Sequence, residues 1–267
     1  MGFFKTLKVL ALALSRLALM AKDSCLDLFG NDLDYRPAKF LQAQRLEDFL
    51  NRYTLLDLQQ PVRLDQVKLL DIESISSNCK NVVVEIDVGT DSELPTTLFI
   101  KLPAPSLLTR WFISVIGVWE LEVYFFHHVA ARVPIRTPVT YAATARGSRF
   151  ALVQENLYAD PTVQLFTNLD MAKGPSLELV RRCLDTFAKL HASHHGLSER
   201  QRDAILPMSR HLFLTEPMKS VSHSLNAQAL QPCIKKLPGV IPDELIAAYK
   251  KSSKTGICYW ASGSRGP

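Results

Sequence analysis

The sequence changes period several times between Val67 and Gly196, and the order of those changes restricts the fold more than any other feature. The runs "VKLLDIES", "NVVVEIDVG" and "TTLFIKL" alternate or stay apolar over strand lengths. "ISVIGVWELEVYFFHHVAARV" then stays apolar for long enough to make a helix, which Pro134 ends. "RTPVTYAATARGSRFALVQENL" reads as two more strands around a turn at Arg146, Gly147 and Ser148. From Ser176 the period becomes helical, with Leu177, Val180, Leu184, Phe187 and Leu190 on one face and Gly196 to close the helix. Upstream, "PAKFLQAQRLEDFLNRY" spaces Phe40, Leu41, Leu46, Phe49 and Leu50 as a helix does. Strands with one inserted helix, then helices, make an α+β layout.

Lys101 stands out within this pattern. It lies near the end of the third strand, on the face of Thr97 and Phe99, before Pro103 and Pro105 stop the ladder. A strand lysine either snorkels to solvent at a sheet edge or faces a cleft beside a carboxylate. The inserted helix carries two acids, Glu120 and Glu122. Either could orient the ammonium toward an anion such as a phosphate.

Composition excludes several function classes. The chain has 267 residues, 47% hydrophobic and 21% charged, enough for one large or two small domains. Its formal charge is +5, but Lys5, Lys8, Arg16 and Lys22 precede the first acid, Asp23, and the remainder is nearly neutral. That distribution, without aromatic and basic interleaving, argues against nucleic-acid binding. Cys25, Cys79, Cys183, Cys233 and Cys258 are an odd, scattered set without a C-x-x-C pair. They argue against a disulfide framework or zinc knuckle and for a reducing, intracellular compartment.

The start, "MGFFKTLKVLALALSRLALMAK", is apolar and cationic, but its longest unbroken apolar run, Val9 to Leu14, spans six residues. A bilayer span needs about 20. Lys5, Lys8, Ser15, Arg16 and Lys22 gather on one side of a helix, with Leu12 and Leu19 intruding. Such a helix suits a membrane surface, and its acid-free composition also suits a mitochondrial transit peptide. The alternative is a terminal helix packed on the protein's own core. "LALMAK" supplies the small residues of a signal-peptide cleavage site poorly, and Met-Gly-x-x-x-Thr matches the short myristoylation pattern. On girth and charge the expectation is that residues 1–22 form a helix that does not pack into the body.

Taken together, the polar turn at Ser76–Lys80, "LFIKLP", "ELEVYFFHHVA", "VPIRTPVTYAA", "FALVQENL" and "FAKLHA" resemble, in order and spacing, the aminoglycoside phosphotransferase and choline-kinase-like superfamily. The ecdysteroid-kinase-like branch is the nearest in character, and the similarity covers about residues 60 to 245. The resemblance implies a protein-kinase-like fold with a five-stranded antiparallel N-lobe, one inserted helix and a helical C-lobe. It implies ATP with Mg²⁺ as cofactor and an unidentified small-molecule hydroxyl as acceptor. Ser76, Ser77, Asn78, Cys79 and Lys80 would then cover the phosphates through backbone N–H groups. Lys101 would contact the α- and β-phosphates with Glu122 as its partner, and Val153, Gln154, Glu155 and Asn156 would form the hinge that reads adenine.

The family's catalytic loop starts His-Gly-Asp, with an Asn five residues beyond the Asp and a second, metal-binding Asp later. No histidine in this sequence has an Asp two residues on. His195-Gly196 leads into Leu197, and Gln201-Arg202-Asp203 has Met208 where the Asn would stand. The reading is therefore of a truncated chain with neither catalytic base nor metal ligands, whose apolar helix faces lack cover and which performs little or no catalysis. His191, His194 and His195 share a helix end, but Ala192 stands where a metalloprotease helix needs Glu.

The expected organisation is an amphipathic segment over 1–30, a kinase-like N-lobe and hinge over 31–157, and a partial helical C-lobe over 158–267. The expected location is cytoplasmic, with peripheral attachment to a membrane through residues 1–22 or a mitochondrial address as the alternatives. A non-catalytic, membrane-peripheral nucleotide-binding or scaffold protein is the rival function. The sharpest geometric expectation is an ion pair between Lys101 and Glu122 within about 4 Å.

Overall fold

The computed structural model describes residues 2–28, 36–70, 78–88, 94–166, 170, 174–207, 228, 232, 234–236, 239 and 242–247. The chain divides into two compact units, one Leu12–Leu197 and the other Met1–Ala11 with Ser198–Pro267. The second unit contains the short helix Glu199–Ile205, opened by a capping box in which Ser198 and Gln201 satisfy each other's backbone N–H groups.

The first unit is α+β. Its strands β1 (Leu64–Leu70), β2 (Cys79–Val88), β3 (Thr97–Pro103), β4 (Thr140–Arg146) and β5 (Arg149–Glu155) form one sheet in the order β1-β2-β3-β5-β4. Every neighbouring pair is antiparallel. Gly147, at φ +62°, makes the tight β4–β5 turn between the paired Arg146 and Arg149.

Strand alternation gives the sheet two different faces. On one, Val82, Val84, Ile86, Leu98, Ile100, Leu102, Ala151 and Val153 join a buried core with Leu46, Phe49 and Leu50. These last three belong to α3 (Ala43–Tyr53), which follows the single turn α2 (Pro37–Phe40). Phe40 meets Phe49 edge-on at 5.0 Å between ring centroids. Asn51 fastens α3 to the start of β1: its Nδ2 donates to the Val62 carbonyl at 2.9 Å and its Oδ1 accepts from the Val62 N–H at 2.7 Å. Burying a leucine such as Leu46 contributes about 2 kcal/mol.

The opposite face carries Lys101 and receives α5 (Val118–His128), which follows α4 (Leu107–Ile116). The apolar run therefore forms two helices where one was expected. Gly117 adopts φ +74°, ends α4 with its N–H on the Ile113 carbonyl, and opens α5 with its carbonyl accepting from Leu121. A side chain at that φ is strained, so the break depends on glycine. The upstream helix is likewise split, at Leu41-Gln42.

Helix α1 (Gly2–Leu28) is continuous, and its docking corrects the expectation that it stays apart from the body. Within the first unit, Trp111 Nε1 donates to the Ala13 carbonyl at 3.1 Å, and Arg16 lies 2.8 Å from Glu120. Arg149 Nη2 donates to the Asp23 carbonyl at 2.9 Å, while its Nε lies 3.3 Å from the Asp23 carboxylate. Polar bonds make these contacts, which is why apolar girth alone mispredicted them. Helix α6 (Leu177–Ala192) is capped by Ser176 and leaves Leu177, Leu184 and Phe187 exposed. No helix among the described residues is long and apolar enough to cross a membrane.

Candidate nucleotide-binding site

Lys101 is held by two elements. On β3 it sits opposite Asn81 of β2 and Leu152 of β5, so the sheet fixes where its stem begins. On α5, Glu122 meets it: Lys101 Nζ donates to Glu122 Oε1 at 2.6 Å. Both side chains keep about a quarter of their surface exposed (26% and 27%). A pair this wet adds roughly 0–1 kcal/mol to stability. Its consequence is orientation: the carboxylate fixes the ammonium while part of it stays open to a ligand.

Glu120, the other acid of α5, points elsewhere. It pairs with Arg16, and burial raises its pKa against the opposing effects of Arg16 and of the Gly147 backbone N–H. Two acids on one helix thus hold two different cations, Glu122 a strand lysine and Glu120 the arginine of α1.

The phosphate-covering segment is partly visible. Ser76 and Ser77 lie outside the described residues, and Asn78 is an exposed bend. Cys79 and Lys80 have joined β2, opposite Pro103 and Leu102, so the turn read over residues 76–80 ends earlier than expected. Alternation puts Cys79 and Asn81 on the face of Lys101 and puts Lys80, which is exposed, on the other. Cys79 Sγ and Asn81 Oδ1 are 3.0 Å apart on that shared face. Lys80 therefore brings no second ammonium beside Lys101.

The expected hinge lies at the other end of β3, where Glu155 pairs with Leu98, whereas Cys79 pairs with Pro103. Val153, Gln154 and Glu155 are the last residues of β5. Asn156 Oδ1 accepts from the Tyr158 N–H, and its Nδ2 donates to Thr97 Oγ1 at 3.3 Å. Gln154 is buried and donates to Thr140 Oγ1 at 3.0 Å. The Glu155 N–H is bonded to the Val139 carbonyl, and the Asn156 carbonyl accepts from Ala159. Two hinge backbone groups are thus already engaged within the chain. Arg136 braces the segment, with Nη2 2.9 Å from Asp160 and 3.5 Å from Glu155. Hydrogen bonds from the Thr162 side chain first, and then from Arg136, lower the Asp160 pKa to about 2.

Sequence reasoning missed one component, an aromatic pair on the Lys101 face. Phe99, two residues before Lys101, has its ring 6.3 Å from that of Tyr158, which is exposed. Strand alternation placed Phe99 there; no local signal brings Tyr158 to it. The pair gives the face an apolar wall a few residues from the cation. The arrangement can hold an anion at Lys101 and a flat apolar group at Phe99 and Tyr158.

For magnesium, the sequence has no Asp and Asn at the positions the resemblance implies. No cluster of three or more potential ligands occurs among the described residues. His127 Nε2 lies 3.3 Å from the Ala143 carbonyl, and His194 Nδ1 lies 2.8 Å from Ser193 Oγ, so both have neighbours of their own. Compared with known proteins, the chain matches no family model and no curated protein sequence.

Proposed function

We propose that this chain binds an adenine nucleotide on the Lys101 face of its sheet, in the manner of a kinase-like small-molecule phosphotransferase, and that these residues do not transfer the phosphoryl group. The observation that carries the reading is the 2.6 Å bond between Lys101 and Glu122, joining a central strand to the inserted helix. Lys101 supplies positive charge to the phosphates, and Glu122 keeps the ammonium in place when no ligand is bound. Phe99 and Tyr158 provide apolar contact for the base. Magnesium, where a relative of this kind holds it, would supply neutralisation of phosphate charge.

Phosphoryl transfer depends on positioning and charge neutralisation, so a missing base and missing metal ligands remove most of the rate. A γ-phosphate transfer assay over alcohols, aminoglycosides and sterols, run beside Lys101→Ala, tests this reading. The expected result is no acceptor-dependent transfer by either protein. Turnover by the wild type that vanishes in Lys101→Ala would place the catalytic residues inside this sequence and overturn the non-catalytic part of the proposal.

A further inference from the structure

Helix α1 docks through Arg16 and Asp23, with Leu12, Ala13 and Met20 half-buried beside them, and leaves a leucine ridge outside. At 100° per residue, Arg16 and Asp23 lie about 160° round the helix from the centre of an arc holding Leu14, Leu17, Ala18 and Ala21. Arg16 and Asp23 face the body, where they meet Glu120 and Arg149. The arc faces solvent: Leu14 is 58% and Leu17 46% exposed, and Ala18 and Ala21 are exposed beside them. An ordinary surface helix turns its leucine-rich stripe inward. In the sequence, Leu7 and Leu10 continue the same alternating three- and four-residue spacing upstream.

The charges around this ridge indicate what it meets. Lys22 is exposed on the flank of the arc, about 40° beyond Ala18. No acid precedes Asp23 in the sequence, and by winding Lys8 falls on the same flank as Lys22, whereas Arg16 faces the body on Glu120. A second copy would bring two such cationic segments together, which like-charge repulsion opposes. An anionic surface is complementary to them. A single convex helix with small alanines between leucines offers no groove for a protein element, but it can sink among lipid head groups and acyl chains.

We infer that the outward face of α1, centred on Leu14 and Leu17 with Lys22 at its edge, seats the protein on a bilayer bearing anionic head groups. The inward ion pairs hold the domain against the helix while the leucines enter the lipid. Charge attraction brings the helix to the surface, and apolar insertion holds it there. The inference stands apart from nucleotide binding and would survive its failure.

Co-sedimentation of the full chain with phosphatidylcholine vesicles, with and without phosphatidylserine, tests it. Binding should require phosphatidylserine and weaken as salt is raised. Leu14→Gln with Leu17→Gln should weaken it by about tenfold or more, and Lys22→Glu by about fivefold. Both leucines are exposed, so the unfolding midpoint should not move. Should the double variant misfold, Lys22→Glu carries the test alone. Equal pelleting by the variants and the wild type would overturn the inference, as would no pelleting of the wild type with either vesicle. A lipid-free dimer that the leucine substitutions dissociate would also overturn it, by showing that a second copy covers the ridge.

Discussion

Trp119→Ala is expected to lower the free energy of unfolding by about 4 kcal/mol, the largest effect of any single change considered for this chain. Trp119 is 2% exposed, and its ring stacks on that of Phe150 at 5.3 Å with 4° between the planes. Phe150 itself is fully buried on β5. Truncation removes a large apolar surface, leaves a cavity, and forfeits a ring contact worth about 1 kcal/mol beyond its area. The informative companion is Trp119→Phe. Among the described residues the buried Trp119 Nε1 has no hydrogen-bond partner, and phenylalanine removes that unsatisfied donor. Relief of about 1–3 kcal/mol then offsets much of the lost packing, so this variant should cost under about 1 kcal/mol. Urea unfolding reads both. Equal losses would show that the indole N–H does have a partner and that shape alone governs the site. Because Glu122 lies one helical turn beyond Trp119, the alanine variant should also loosen the carboxylate that holds Lys101.

Asp23→Ala is expected to cost about 2–3 kcal/mol, although Asp23 lies on a terminal helix where substitutions are ordinarily harmless. The reason is Arg149, 2% exposed, whose guanidinium lies against the Asp23 carboxylate. Removing one member of a buried pair strands the other charge, at roughly 3–5 kcal/mol. The figure is smaller here because the Asp23 carbonyl still accepts from Arg149 in the variant, and the carboxylate is itself 21% exposed. At the usual urea dependence the midpoint should fall by about 1 M. An unchanged midpoint would mean that α1 does not dock through Asp23, in accord with the sequence-based expectation of an undocked helix.

The sheet was legible because alternation is a local signal, and each of its five strands stands where a period-2 or apolar run predicts one, give or take a few residues. Alternation and element order put Lys101 near a helix with two acids, Glu120 and Glu122; the choice of Glu122 came from the family resemblance. The helix break at Gly117 was not legible. A lone glycine is tolerated within a helical pattern, and its +74° φ becomes apparent only when the chain turns there. The docking of α1 was misread because girth and charge predict a helix that stays apart from the body, whereas contacts distant in sequence decided otherwise. Ala13 meets Trp111, Arg16 meets Glu120 and Asp23 meets Arg149, each pair separated by about a hundred residues or more, and no window of sequence contains both partners. Tyr158 was missed on similar grounds. Its ring reaches Phe99 through the turn after β5, where no periodicity extends.

Calorimetric titration of ATP into the full chain, with and without magnesium, tests the central claim most directly. The account predicts a dissociation constant on the order of 0.1–1 mM, equivalent to about 4–5.5 kcal/mol of binding. It predicts weakening by about tenfold or more in Lys101→Ala and by a smaller factor in Glu122→Gln, which keeps the shape of the carboxylate but loses its charge. Magnesium should change the affinity little, since no metal ligands are assigned. ATP affinity identical in the wild type and Lys101→Ala, or no binding by the folded wild type, would contradict the account and leave the Lys101–Glu122 pair a structural tie between strand and helix.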